Sequence, residues 1–388
     1  MWRKFTFTIR QWLKLILQRM VLPIVYWFYR RQEVNQNIVV FADSHHDEIP
    51  YSMQLLYKAM LAQTNFTVID FFYDFSKQGV FSLFKKILYF MKIYANARYV
   101  VICDYFLPVS SCKKREETTV IQLWHSGGLL KKFAYDSLED LPRGTPQNIF
   151  ANYDMVTVSA PICIPVLASA MRLPENRFIL TGISRTDCYY DQEYIGFCKE
   201  QLYQLYPQAN GKKVILWAPT FRGNAGNPQL CGLNEVQVLQ EALPGNYLLL
   251  IKVHPHLDVK EQISNCTLPT EQLLPVTDLL ITDYSSILFD YILLERPFIL
   301  FAPDFDRYIQ RRGLYIEYDS LPGKIAKNGD ELFNAIIQAF SQIDGIKLKQ
   351  CKHLHMGACD GNATDRIMTY ITGKASQSMI VESVEAVR

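Results

Sequence analysis

The 388-residue chain has no Gly-x-Gly-x-x-Gly segment, so it lacks the phosphate-gripping turn of a nicotinamide enzyme. It has no Cys-x-x-Cys pair either. Its nine cysteines are scattered and odd in number, which fits a reducing compartment and neither a disulfide framework nor a zinc site. No uncharged apolar run approaches the roughly 20 residues needed to span a bilayer. Lys14 and Arg19 break the first apolar stretch and no small-residue cleavage site follows, so no signal peptide is expected. Low-complexity tracts are also missing. With 49% hydrophobic and 20% charged residues the chain is globular, and it is long enough for two domains. A net charge of +2 argues against a general nucleic-acid binder.

The charge is unevenly placed. Residues 1–32 carry seven basic side chains (Arg3, Lys4, Arg10, Lys14, Arg19, Arg30, Arg31) and no acid; the remaining 33 basic and 38 acidic residues leave a body of about −5. From Arg10 to Leu22 the pattern is amphipathic: Arg10, Gln11, Lys14 and Gln18 share a narrow arc, and Trp12, Leu13, Leu15, Ile16, Leu17, Met20 and Leu22 spread over the rest. Pro23 interrupts, and the aromatic run 24–29 ends at Arg30-Arg31. Segment 1–36 therefore reads as a basic helix at an anionic membrane surface, with Trp and Tyr at headgroup level, or as a basic helix packed on the body.

Beyond it, apolar runs alternate with helical stretches. Strands are expected at 37–43, 66–72, 97–104, 119–125, 155–160 and 177–182, then at 213–219, 247–255, 279–282 and 298–302. Helices are expected at 51–62, 81–95, 161–171, 190–206, 234–243, 286–294 and 330–341. Such alternation predicts parallel, doubly wound sheets, and two series in tandem predict an α/β protein of two Rossmann-like domains facing across a cleft. The boundaries expected are 37–188 and 189–345, with closing helices at 346–372 and a frayed tail at 373–388.

In open α/β sheets, ligands bind beyond the carboxyl ends of strands. Those ends here carry Trp124-His125-Ser126-Gly127-Gly128 followed by Lys131-Lys132, then Pro219-Thr220-Phe221-Arg222-Gly223, Lys252-Val253-His254-Pro255-His256, and Asp283-Tyr284-Ser285-Ser286. One histidine after a strand is more often structural than catalytic. Gly127 and Gly128 beside His125 are less bland, because glycine admits a substrate close to the backbone. Ser285 and Ser286, where a strand turns into a helix, serve either as an N-cap or as hydroxyl donors beside unpaired backbone N–H groups that suit an anion. With Thr220, Arg222 and Lys252 they could embrace a diphosphate. His254 and His256 have no carboxylate–histidine cluster around them, so no metal is expected.

Several ordered blocks resemble the CDP-glycerol glycerophosphotransferase family: residues 124–136, TGISRTD (181–187), ILWAPTFRG (215–223), LLIKVHP (249–255), 277–304, RGLYIEYDSLPG (312–323) and CDGNATDRI (359–367). The resemblance covers about residues 95–372. The chain departs from it at Gly182-Ile183-Ser184-Arg185, where the family often has Gly-Tyr-Pro-Arg, and the residues after His125 vary in the family.

The resemblance implies a GT-B-like fold with the nucleotide in the C-terminal half. It implies transfer of glycerol phosphate from CDP-glycerol, with no cofactor, to a lipid-linked glycan or polyol-phosphate acceptor in teichoic acid or capsule synthesis, releasing CMP. It also implies a peripheral position on the cytoplasmic face of the plasma membrane. Imidazole titrates near neutral pH, so His125 is the natural general base for the attacking hydroxyl. His254, Lys252, Arg222 and the Ser285/Ser286 turn would meet charge on the leaving nucleotide. Asp290 either holds a polyol hydroxyl or braces a loop. Arg185 is counted with the substrate-binding residues, and its pairing with Asp187 is expected to set its loop. CDP-ribitol as donor, a nucleotide-sugar transferase in the same cleft, and a non-catalytic membrane scaffold are the alternatives.

Overall fold

The computed structural model describes residues 16–137, 140, 148–224, 227–254, 257 and 263–373. Six strands form the first sheet: β1 (Asn35–Asp43), β2 (Thr67–Phe72), β3 (Ala97–Ile102), β4 (Thr119–Gln122), β5 (Met155–Thr157) and β6 (Phe178–Ile179). All pair parallel, in the order β2-β1-β3-β4-β5-β6. Their apolar runs have no alternation because helices cover both faces, as in a doubly wound sheet. One face buries Phe90, Met91 and Tyr94 of the helix Val80–Tyr94. The other buries Met53, Leu56 and Met60 of the helix Tyr51–Leu61.

The second sheet comprises β7 (Lys213–Trp217), β10 (Tyr247–Ile251), β11 (Leu279–Thr282), β12 (Phe298–Phe301) and β13 (Lys324–Ala326), parallel in the order β10-β7-β11-β12-β13. A short antiparallel hairpin, β8 (Arg222–Asn224) with β9 (Asn227–Gln229), rises from the end of β7. Strand order reverses between β1 and β3 in the first sheet and between β7 and β11 in the second. Crevices open beyond the carboxyl ends of such neighbours.

The chain then returns to its first half. The last helix, Ala363–Thr372, buries Ile367, Met368 and Ile371 in the cluster that holds Val39, Phe41, Met53 and Leu56. Its N-terminus is capped from the first half, with Asp187 accepting from the N–H groups of Ala363 (3.1 Å) and Thr364 (2.7 Å). The expected Arg185–Asp187 pair therefore does not form, because the Asp187 carboxylate is committed to this helix end.

Of the expected basic helix 10–22, residues 10–15 lie outside the described set. From Leu17 the chain is helical, and Pro23 does not interrupt it. A single π-turn, Leu17–Val21, runs into the helix Leu22–Tyr29, and Pro23 occupies its first turn. There a missing N–H and a fixed φ are tolerated, and the wider π-turn leaves room for the ring. Leu22 and Tyr26 pack into the first core, and the Tyr26 hydroxyl accepts from the N–H of Arg115 (3.0 Å). Ile16, Met20, Ile24, Trp27 and Phe28 stay exposed, as do Val80 and Phe81 on the neighbouring helix. No helix among the described residues is long and apolar enough to cross a membrane.

Candidate active site

At the carboxyl end of the first sheet, three strands deliver polar side chains together. Asp43 closes β1, and one of its oxygens accepts from the N–H groups of His45 (2.7 Å) and His46 (2.8 Å) and meets His46 Nδ1 (2.9 Å). Burial works to raise the Asp43 carboxyl, but the hydrogen bonds from His46 and His45 outweigh it and hold it below its ordinary value. The same bond raises His46 above the usual imidazole value.

His125 follows β4. Its Nδ1 lies 3.3 Å from the carbonyl oxygen of Cys103 and 3.8 Å from Asp104 Oδ1, and Asp104 Oδ2 lies 3.9 Å from His45 Nε2. A carbonyl only accepts, so Nδ1 carries a proton and in the neutral imidazole Nε2 keeps its lone pair. The turn is held from below. Buried Gln122 donates to the Asp104 carbonyl (3.1 Å) and accepts from the Trp124 N–H (2.9 Å), fixing Trp124 at φ 57. A bulky residue in that region is strained by ~1–3 kcal/mol, which the surrounding packing must supply.

Gly127 and Gly128 do not open the backbone to a substrate. A Cβ at Gly127 would lie 2.5 Å from Met356 Sδ, and one at Gly128, where φ is +61°, would lie 2.4 Å from the Phe289 ring. Side chains of the second half fill the space both glycines leave, so the pair serves close packing between the halves. Ser159 secures the loop, accepting from the Gly128 N–H (2.8 Å) and donating to the His355 carbonyl (2.7 Å).

In the second half, Asp283 ties the two switch-point strands together, one oxygen accepting from the N–H groups of Thr220 (2.8 Å) and Tyr284 (2.6 Å). The Thr220 hydroxyl is buried and has no hydrogen-bond partner among the described residues. Arg222, expected on the diphosphate, is already committed. It makes two hydrogen bonds to Asp304 (2.7 and 2.8 Å), one to Asp283 (2.9 Å) and one to the Thr220 carbonyl (2.6 Å). Tyr284 and Tyr308, stacked at 3.6 Å, flank it at 4.9 and 5.0 Å. One guanidinium between two carboxylates leaves this group net negative, the wrong sign for an anion. Arg222 braces the site.

Lys252 donates to the Cys266 carbonyl (3.1 Å), and exposed His254 lies 4.8 Å from the Phe221 ring; His256 lies outside the described residues. Ser286 precedes the short helix Ile287–Ile292 without forming a side-chain cap, and Ser285 Oγ lies 3.5 Å from the Ile287 N–H. The long Ser285 contact is of the N-cap type, while the Ser286 hydroxyl takes no part in capping. Asp290, on the same helix, is buried and forked onto Arg185 at 2.7–3.2 Å. Burial opposes the Arg185 charge, but Asp290 outweighs that and holds the guanidinium pKa above its ordinary value. Both residues are shielded from solvent and join the halves, so neither reaches a substrate hydroxyl in this arrangement.

Asp43, Asp104 and Asp304 were not among the residues singled out. Their signal is modest: Asp43 and Asp104 each end an apolar run, Asp304 comes just after another, and such an acid at a strand end fixes the loop beyond it.

The profile of the family described as CDP-Glycerol:Poly(glycerophosphate) glycerophosphotransferase matches residues 24–373. The chain is 29% identical over 359 residues to the teichoic acid ribitol-phosphate primase of Bacillus spizizenii, covering 87% of this chain and 92% of that protein. It is 30% identical over 293 residues to the teichoic acid glycerol-phosphate primase of Bacillus subtilis, covering 71% and 74%. The solved structure of the wall teichoic acid polymerase TagF superposes with a TM-score of 0.72 at 24% identity, over 99% of each chain, a likeness of fold.

Proposed function

Because the chain belongs to the CDP-glycerol:poly(glycerophosphate) glycerophosphotransferase family, we propose that it moves glycerol phosphate from CDP-glycerol to a hydroxyl of a lipid-linked or polymeric teichoic acid or capsule acceptor. Membership of the family and similarity to both primases support a polyol-phosphate transferase of teichoic acid synthesis. The observation that carries the proposal is the orientation of His125, whose Nδ1 is turned to the Cys103 carbonyl. That leaves Nε2 as a base at the end of β4.

The acceptor oxygen attacks the glycerol-bearing phosphorus while Nε2 of His125 takes its proton, worth about 10²–10⁴ in rate. The bond to the bridging oxygen breaks and its electron pair leaves with CMP. Little covalent chemistry falls to the protein, so positioning and charge dominate. The Ser285/Ser286 turn, the unpartnered Thr220 hydroxyl, Lys252 and His254 are proposed to meet the departing nucleotide. Arg222 acts behind them by holding Asp283 and Asp304.

CDP-ribitol is a second reading, favoured by the similarity to a ribitol-phosphate primase over most of both chains. Incubation with CDP-glycerol or CDP-ribitol and lipid-linked acceptors, followed by mass analysis of the products, decides between them and gives the number of units added. Turnover of UDP-sugars in place of both would overturn the proposal.

The site is proposed to work against an anionic membrane on its cytoplasmic face, bound peripherally. Support comes from the exposed Ile24, Trp27, Phe28, Val80 and Phe81 beside Arg30 and Arg31. Arg31 sits 4.3 Å over the Trp27 ring, an amphipathic pair suited to the headgroup layer.

A further inference from the structure

With Arg222 occupied by two carboxylates, the donor diphosphate calls for a cation beyond Lys252 and His254. We propose that Lys131, carried by the first half, reaches the nucleotide site of the second half and binds a phosphate oxygen of the donor. The inference rests on the reading of the second half as the nucleotide-binding half.

Lys131 is placed by the backbone. It forms an antiparallel bridge with Leu314, flanked by hydrogen bonds from the Tyr315 N–H to the Leu130 carbonyl (2.8 Å) and from the Lys132 N–H to the Gly313 carbonyl (3.2 Å). This clamp pins the chain six residues beyond His125 to the segment that follows the helix Phe305–Arg311. The charged groups acting on the Lys131 ammonium are Arg312, Asp283, Arg222 and Asp140. Two of them, Asp283 and Arg222, belong to the net-negative group with Asp304 described above. Asp283 and Asp304 are hydrogen-bonded to Arg222, and Asp140 to Arg312. Among the described residues none pairs with Lys131.

A lysine held in such a place without a counter-ion is ready for an anionic ligand. Added to Arg222, Asp283 and Asp304, its charge brings the group to neutrality and removes the repulsion an incoming diphosphate would meet. Burial, then Arg312, lowers its pKa to about 8. A bound phosphate would raise that value again, because an opposite charge favours the protonated form. Affinity for the nucleotide is therefore level while free Lys131 is protonated and falls as pH rises through about 8.

The test is calorimetric binding of CDP to the full chain between pH 7.5 and 9.5, for the wild type and for Lys131→Met, Lys131→Arg and Lys132→Met. At pH 7.5, Lys131→Met is expected to weaken CDP binding at least about tenfold, the loss of a charge-assisted hydrogen bond, and to show no further alkaline decline. Lys131→Arg should stay within a few-fold of wild type and keep its affinity to the alkaline end. Lys132→Met should behave as wild type. Equal CDP binding by wild type and Lys131→Met across the range, with unchanged melting temperatures, overturns the proposal. Should Lys131→Met fail to fold, a wild-type affinity that does not decline above pH 8 overturns it as well. A wild type that binds no CDP at all defeats the nucleotide reading of the second half, and this inference with it.

Discussion

The ring of Phe289 fills the position that a Cβ on Gly128 would occupy, at 2.4 Å, so the loop after the proposed base is shaped by the opposite half of the molecule. Gly128→Ala must move that ring and also place alanine at φ +61°. A loss of about 1–3 kcal/mol is expected from the overpacking alone. Adding Phe289→Ala should be less destructive than the two single losses together, because the clash disappears. Urea denaturation of the single and double variants measures this coupling.

His125 and His254 are expected to separate kinetically. A base matters in the transition state and little in the ground state, so His125→Ala should lower kcat by about 10²–10⁴ with near-normal CDP affinity. His254→Ala should weaken CDP binding and lower the rate together, since a phosphate contact acts in both states. Wild-type rates in His125→Ala would show that the proton goes elsewhere.

Acid should loosen the junction between the halves. His355 is buried beside Phe289, and its Nδ1 has no hydrogen-bond partner among the described residues. Burial lowers its pKa from 6.5 to about 4. Between those values the unfolded chain binds a proton that the folded chain refuses, so stability is full above pH 6.5 and falls as pH drops toward 4. The loss is on the order of 3 kcal/mol. His355→Leu should flatten the dependence of urea stability on pH in that window. An identical slope in the variant would assign the acid loss to other groups.

Trp27→Glu with Phe28→Glu should reduce pelleting with anionic vesicles and leave the melting temperature unchanged, because both rings are exposed. Tyr26→Ala should do the reverse, since that ring lies in the first core and its hydroxyl holds Arg115. Removing residues 1–32 would therefore damage the fold. Vesicle sedimentation of the double variant at wild-type level would place any membrane contact elsewhere.

Every strand read from an apolar run is present, because a strand covered on both faces must be apolar throughout and such runs stand out. Several stop short of the run: residues 119–125 give β4 only to Gln122, and 247–255 give β10 only to Ile251. Where the backbone leaves the ladder, hydrophobicity no longer reports conformation, and those are the positions that carry His125 and Lys252. β13 escaped notice because three residues opening with lysine carry too little pattern, and the helix Phe305–Arg311 because it spans two turns. The histidines were legible as residue types at strand ends. The partners of Gly127, Gly128, Arg185 and Arg222 were not, because each lies far along the chain and a sequence shows which groups are available, not which of them have already found each other.

The return of the last helix to the first sheet bears on how the protein is made. On a ribosome the first half emerges complete up to β6, yet the cluster of Val39, Phe41, Met53 and Leu56 is sealed fully only when Ile367, Met368 and Ile371 have been synthesised. Each such side chain contributes roughly 1.5–3 kcal/mol on burial. Until then the nascent chain carries a partly uncovered apolar face through the synthesis of the whole second half, an exposure that invites chaperone binding. A stop codon shortly before Ala363 would thus spare every proposed catalytic group and still leave the first half, which holds the proposed base, unsealed.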